Sequence, residues 1–180
     1  VMHGHLSHHQ LVKFLALGKA EAAAKNSKID ILGFPFSISP TFQLRNTNSS
    51  MEQSWETLKS IQEICNNHHK QLVVYLSMGF GNPYADPYSH EILLEWADKM
   101  VVAGIKIISL ADTVGLASSD QISSALKILI PKYPETIIGV HLHASNNNWQ
   151  AKMDAALNAG CLRFDGAING IGGCPMAQDQ

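Results

Sequence analysis

Five short apolar runs, alternating with helix-like segments, do most to limit what this chain can fold into. They are Ile29–Phe34, Gln71–Leu76, Ile105–Leu110, Thr136–His141 (expected to continue to His143) and Leu162–Ala167. Each is near-continuously apolar and too short for a buried helix, so each is expected to be a strand covered on both faces. Between them, segments 51–68, 88–103, 118–130 and 148–159 carry apolar residues at helical spacing. Trp55, Leu58, Ile61 and Ile64 form one such stripe, with Ser50 as its expected N-cap; Ser118 or Ser119 plays that part before 118–130. Residues 10–25, rich in Ala, Leu and Lys, read as a further helix. Strand–helix alternation of this kind predicts an α/β fold with a parallel sheet.

The polar and glycine-rich stretches all follow the strands. They are Ser37–Pro40, Gly79–Pro87, Ala111–Gly115, the residues from His143 onward, and Gly170–Cys174. Barrels and open α/β sheets both carry their chemistry on that rim. No Gly-x-Gly-x-x-Gly turn follows the first strand and no phosphate-binding Walker loop is present, so nucleotide folds are discounted.

Two features on the rim carry chemistry. His141 and His143 lie at i and i+2 of a strand, so both side chains fall on one face. One histidine near a strand end is usually structural. Two on one face of an apolar strand are harder to satisfy by hydrogen bonds, and they suit a metal. The second feature is Gly170-Ile171-Gly172-Gly173-Cys174-Pro175, where glycines allow a tight turn beneath a thiol. A buried cysteine is most often only a small hydrophobe, so this motif alone is the weaker of the two.

Composition narrows the class. A chain that is 46% hydrophobic and 16% charged has the material for a core. Thirteen Lys and Arg against fifteen Asp and Glu leave a formal charge of -2 and no basic stripe, which argues against nucleic acid as a partner. The apolar runs are too short to span a bilayer, and the start lacks signal-peptide architecture. Three cysteines without metal-site spacing fit a reducing compartment, so a cytoplasmic location is expected. The His-rich tract Met2–His9 is left out of the site.

Three motifs in order then give a specific resemblance: Ile107–Gly115 with its Asp112-Thr113 pair, Val140–His143, and Gly170–Pro175. Together with the loop Gly79–Tyr84 they resemble the hydroxymethylglutaryl-CoA lyase family, within the metal-dependent acyl-CoA lyases and synthases built on TIM barrels. The Gly-Gly-Cys-Pro loop favours the lyases. The resemblance implies an incomplete (β/α)8 barrel equivalent to strands four to eight, over residues 28–180, preceded by an N-terminal tail and helix at 1–27. It implies a divalent metal, Mg or Mn, with His141 and His143 as ligands. It implies Cys174 and Asp112 as catalytic groups, and Thr113, Gly172 and Gly173 against an acyl-CoA substrate. The implied reaction is cleavage of 3-hydroxy-3-methylglutaryl-CoA to acetyl-CoA and acetoacetate.

There are departures from that pattern. The family's Arg-Asp pair on its first strand and its Asn ligand beyond the loop cysteine have no counterpart here, and Ala144 stands where an acidic residue usually follows the second histidine. Two other readings therefore stay open: a related acyl-CoA synthase or aldolase, and a non-catalytic barrel fragment. Strand edges left open by a partial barrel template association, so the chain is expected to be either poorly soluble or a homo-oligomer.

Overall fold

A computed structural model describes the backbone of residues 11–13 and the structure of residues 17–166. Six parallel strands form one sheet: β1 (Leu11–Lys13), β2 (Ile31–Ser37), β3 (Gln71–Ser77), β4 (Ile107–Ala111), β5 (Ile137–His141) and β6 (Arg163–Asp165). Six helices accompany them: α1 (Leu17–Ala24), α2 (Pro40–Thr47), α3 (Met51–Asn67), α4 (His90–Val102), α5 (Ser119–Lys132) and α6 (Trp149–Asn158).

Strand order in space is the order in sequence, β1 to β6. This decides the architecture. A doubly wound sheet reverses its winding at a switch point and puts helices on both faces. Here the winding never reverses, as in a barrel wall. The core agrees. Leu32, Phe34, Phe36, Leu72, Val74, Leu76, Ile108, Leu110, Ile138 and Val140 share one cluster with the buried faces of α1 and α3 to α6. Residues of opposite parity form a separate inner cluster of Ile31, Val73, Tyr75 and Ile107. Strand alternation thus sorts the sheet into a helix-covered outer face and an inner face.

The segment 10–25 differs from its expected single helix. Leu11–Lys13 pairs in parallel with Ile31–Gly33, and the helix begins only at Leu17. Local helix propensity is weak against a ladder of backbone hydrogen bonds offered by the edge of β2. The sheet thus starts one strand earlier than the five expected. The short helix α2 has no counterpart among the expected elements either. Its N-cap Ser39 accepts from the Phe42 N–H, and Pro40 occupies its first turn. Strand β5 ends at His141 rather than His143. The remaining helices start where expected: Ser50 and Ser118 each close a capping box, with Gln53 and Gln121.

The inner face runs in layers. Gly33, Val73, Ile107 and Ile137 are aligned across four strands, followed by Pro35, Tyr75, Ser109, Gly139 and Arg163 across five. Gly139 is required in the second of these. A Cβ there would stand 3.0 Å from both Cγ and the carbonyl oxygen of Arg163. We predict that Gly139→Ala lowers the unfolding free energy by about 1–3 kcal/mol through overpacking. Urea unfolding would show it as a lower midpoint at unchanged slope; an unchanged midpoint would refute the packing.

Candidate active site

The last inner layer, at the carboxyl ends of the strands, is polar except at Ala111: Ser37, Ser77, Ala111, His141 and Asp165 lie side by side in register. This row sets the His141 imidazole next to Asp165, with the Ser37 and Ser77 hydroxyls on the strands beyond Ala111. His141 closes β5, and His143 follows two residues on. Their rings meet edge to face with centroids 5.3 Å apart, and both residues are half-buried. His141 also meets the Tyr75 ring edge to face at 5.5 Å. Burial first, and then the charge of Asp165, raise the Tyr75 phenol well above its ordinary range. It therefore stays protonated through neutral pH.

Asp165 pairs in register with His141. Its carboxylate accepts from Ser109 Oγ at 3.1 Å and from the Arg163 guanidinium at 3.1 Å. The sequence offered these residues only as members of a strand. Their inward parity relative to His141 is the signal that finds them.

Asp112 and Thr113 lie on the loop after β4, and both are buried. Asp112 alternates outward, toward α6. One carboxylate oxygen accepts from the Ala117 N–H at 3.1 Å, the other from Lys152 Nζ at 2.6 Å. Lys152 and Asp112 form a buried ion pair, with side chains 4% and 3% exposed. Lys152 also donates to the carbonyls of Gly115 and His143, each at 2.8 Å. Thr113 Oγ1 accepts from the Met78 N–H at 3.0 Å. Met78 has a left-handed backbone (φ 59°), so the hydroxyl stabilises the strained exit of β3. Cys174, Gly172 and Gly173 lie outside the described residues. Of the described cysteines, Cys65 and Cys161 are free and buried. Burial pushes the Cys65 thiol up to about 11 and also raises Cys161, so both are poor nucleophiles.

The loop between β3 and α4 is fastened to the rim. Asp86 accepts from the hydroxyls of Ser39 and Thr41 and from the Thr41 N–H at the start of α2. Asn82 holds the loop internally, its side-chain oxygen accepting from the Tyr84 and Asp86 N–H groups. The Tyr88 hydroxyl donates to the Gly79 carbonyl at 2.9 Å.

The adjoining imidazoles offer two nitrogen donors on one side of the rim, a set that suits a divalent metal. The described residues hold no group of three or more His, Cys, Asp or Glu with metal-site spacing. Two imidazole nitrogens are fewer than the ligands a divalent ion takes, so in such a site the pair would be one part of a ligand set.

The sequence model of the HMGL-like family matches residues 7–175. The chain belongs to the HMGL-like family. A hydroxymethylglutaryl-CoA lyase of Bacillus subtilis (strain 168) is 33% identical over 141 residues, 78% of this chain and 47% of that protein. The solved HMG-CoA lyase of Bacillus subtilis superposes with a TM-score of 0.84 at 29% identity, over 94% of this chain and 56% of that one. An HMG-CoA lyase of Acinetobacter baumannii, solved with coenzyme A and 3-methylmalate, gives 0.82 at 27% identity, covering 93% and 54%. The chain spans about half the length of these relatives. Its sheet is thus part of an HMGL-like (β/α)8 barrel. No helix among the described residues is long and apolar enough to cross a membrane.

Burial raises the pKa of Asp86, but hydrogen bonds from Ser39 and Thr41 outweigh it and hold the carboxyl below its usual range. A depressed folded pKa gives stability that is present above the unfolded value of about 3.9 and lost as pH falls through the folded one. Asp86→Asn is therefore expected to flatten the acid limb of the stability curve, measured by thermal melts from neutral pH downward. A limb as steep as the parent's would contradict the fastening.

Proposed function

We propose that the protein carrying this chain is a carbon–carbon lyase that cleaves 3-hydroxy-3-methylglutaryl-CoA to acetyl-CoA and acetoacetate. The observation that carries the reading is the adjoining His141–His143 pair on the rim of an HMGL-like barrel, with ring centroids 5.3 Å apart. Family membership and the names of the relatives support a lyase; the particular acyl-CoA is the finer part of the proposal.

In this reading His141 and His143 hold a divalent metal, Mg or Mn, through neutral imidazole nitrogens. When bound, such an ion supplies Lewis-acid polarisation of substrate oxygens. A base takes the proton from the tertiary hydroxyl. The bond between C2 and C3 breaks, C3 becomes the ketone of acetoacetate, and its electron pair passes to C2 as the enolate of acetyl-CoA. Cys174 is the proposed donor that returns a proton to C2. Gly172 and Gly173 let its loop approach the substrate, and Thr113 keeps the neighbouring rim in shape. Asp112 enters as an orienting group. Both its oxygens already accept hydrogen bonds, one from an ammonium, which supports a role as a fixed anion that holds the loop.

The test is a coupled acetyl-CoA assay on the full-length protein, with a substrate screen that includes related 3-hydroxyacyl-CoA thioesters. Chelation should abolish turnover and added Mg or Mn restore it. His141→Ala should abolish metal-dependent turnover with the melt unchanged. Cys174→Ala should lower kcat about 10²- to 10⁴-fold with little change in KM. Full activity in both variants would refute the assignment.

A further inference from the structure

Lys152 breaks two rules of its position. It lies in the first turn of α6, where the helix dipole disfavours a cation, and it is only 3% exposed. A buried ammonium persists only when its protons are accepted. Here all three are: by Asp112 Oδ2 at 2.6 Å, by the Gly115 carbonyl at 2.8 Å and by the His143 carbonyl at 2.8 Å. These acceptors come from two different loops, one after β4 and one after β5.

The loop after β4 also passes beside the second histidine. Gly115 has φ +72°, and a Cβ built on it would stand 3.7 Å from the His143 Cβ and 3.9 Å from its carbonyl oxygen. His143 lies past the end of β5, beyond the paired register of the sheet. The Asp112 N–H bonds the His141 carbonyl at 3.0 Å, which holds the first histidine's end of the same segment. His141 is thus placed by the sheet, whereas the His143 carbonyl lies beyond the paired register and accepts from Lys152, which ties it to the Gly115 carbonyl as well.

We propose that Lys152 is a positioning residue that fixes the backbone of His143 and so aims its imidazole alongside that of His141. The proposal rests on the reading of both histidines as metal ligands. Groups that orient ligands without touching the ion typically change metal affinity about 10- to 100-fold when removed.

The experiment measures Mn²⁺ affinity of the full-length protein by electron paramagnetic resonance of the free ion. Hydrogen–deuterium exchange over residues 141–148 of the metal-free protein gives a second readout. Lys152→Met removes the clamp. The double variant Lys152→Met/Asp112→Asn removes both charges, which guards against unfolding by an unpaired buried carboxylate. Leu58→Ala, in the fully buried face of α3, controls for lost stability alone.

Both Lys152 variants should bind Mn²⁺ at least about tenfold more weakly, with faster exchange confined to 141–148. Leu58→Ala should keep the parent affinity. His143→Ala separates the two claims. If it loses Mn²⁺ while both Lys152 variants keep parent affinity, the ligand reading stands and the positioning role is overturned. If His143→Ala also keeps parent affinity, the ligand reading falls and the proposal falls with it. A loss in Leu58→Ala equal to that in the Lys152 variants would likewise overturn it, because the effect would then be general destabilisation.

Discussion

Every placement in this molecule depends on the unbroken parallel register of the sheet. Five consecutive pairings carry the same alternation from β1 to β6 without reversal. Because side chains alternate with a period of two, a slip of one residue in any strand would exchange its inner and outer faces. Depending on the strand that slipped, Phe34 and Phe36, Val74, or Val140 would then face inward; a slip of β5 would also turn His141 toward the helices. The hydrophobic demand of the helix layer therefore fixes which polar residues reach the rim. The polar row at the carboxyl ends is a by-product of how the outer face must pack.

That demand also explains what was legible in the sequence. Strands β2 to β5 are dense in Val, Ile, Leu and Phe between turn residues, which made them readable as buried strands, whereas which face each residue takes emerges only from the paired sheet. The capping boxes at Ser50 and Ser118 are local signals, and local signals survive folding well. The family resemblance rested on rim motifs, and the match over residues 7–175 agrees with it. β1 was not legible, because three residues embedded in a helix-forming stretch acquire strand geometry only by pairing with β2. Helix α2 had a readable start in Ser39-Pro40, but its eight residues carry too few apolar positions to show a period.

The site divides along the same line. The two histidines announce themselves by spacing, and their rings do adjoin. Asp165, Ser109 and Arg163 were hidden in short strands, since their importance comes from standing beside His141 and Tyr75 in the register. Lys152 was hidden more thoroughly. A lysine in an amphipathic helix reads as a solvated residue, and only the folded arrangement shows its ammonium enclosed by an anion and two carbonyls. Non-local polar networks of this kind leave no periodic trace.

In the proposed reading this barrel wall presents His141 and His143 as a joint metal site. Its most direct test is a crystal structure of the full-length protein grown with Mn²⁺, with anomalous diffraction recorded at the manganese edge. A joint site gives one dominant anomalous peak within bonding distance of a ring nitrogen of both His141 and His143. A peak bound elsewhere, with neither imidazole coordinating, would contradict it.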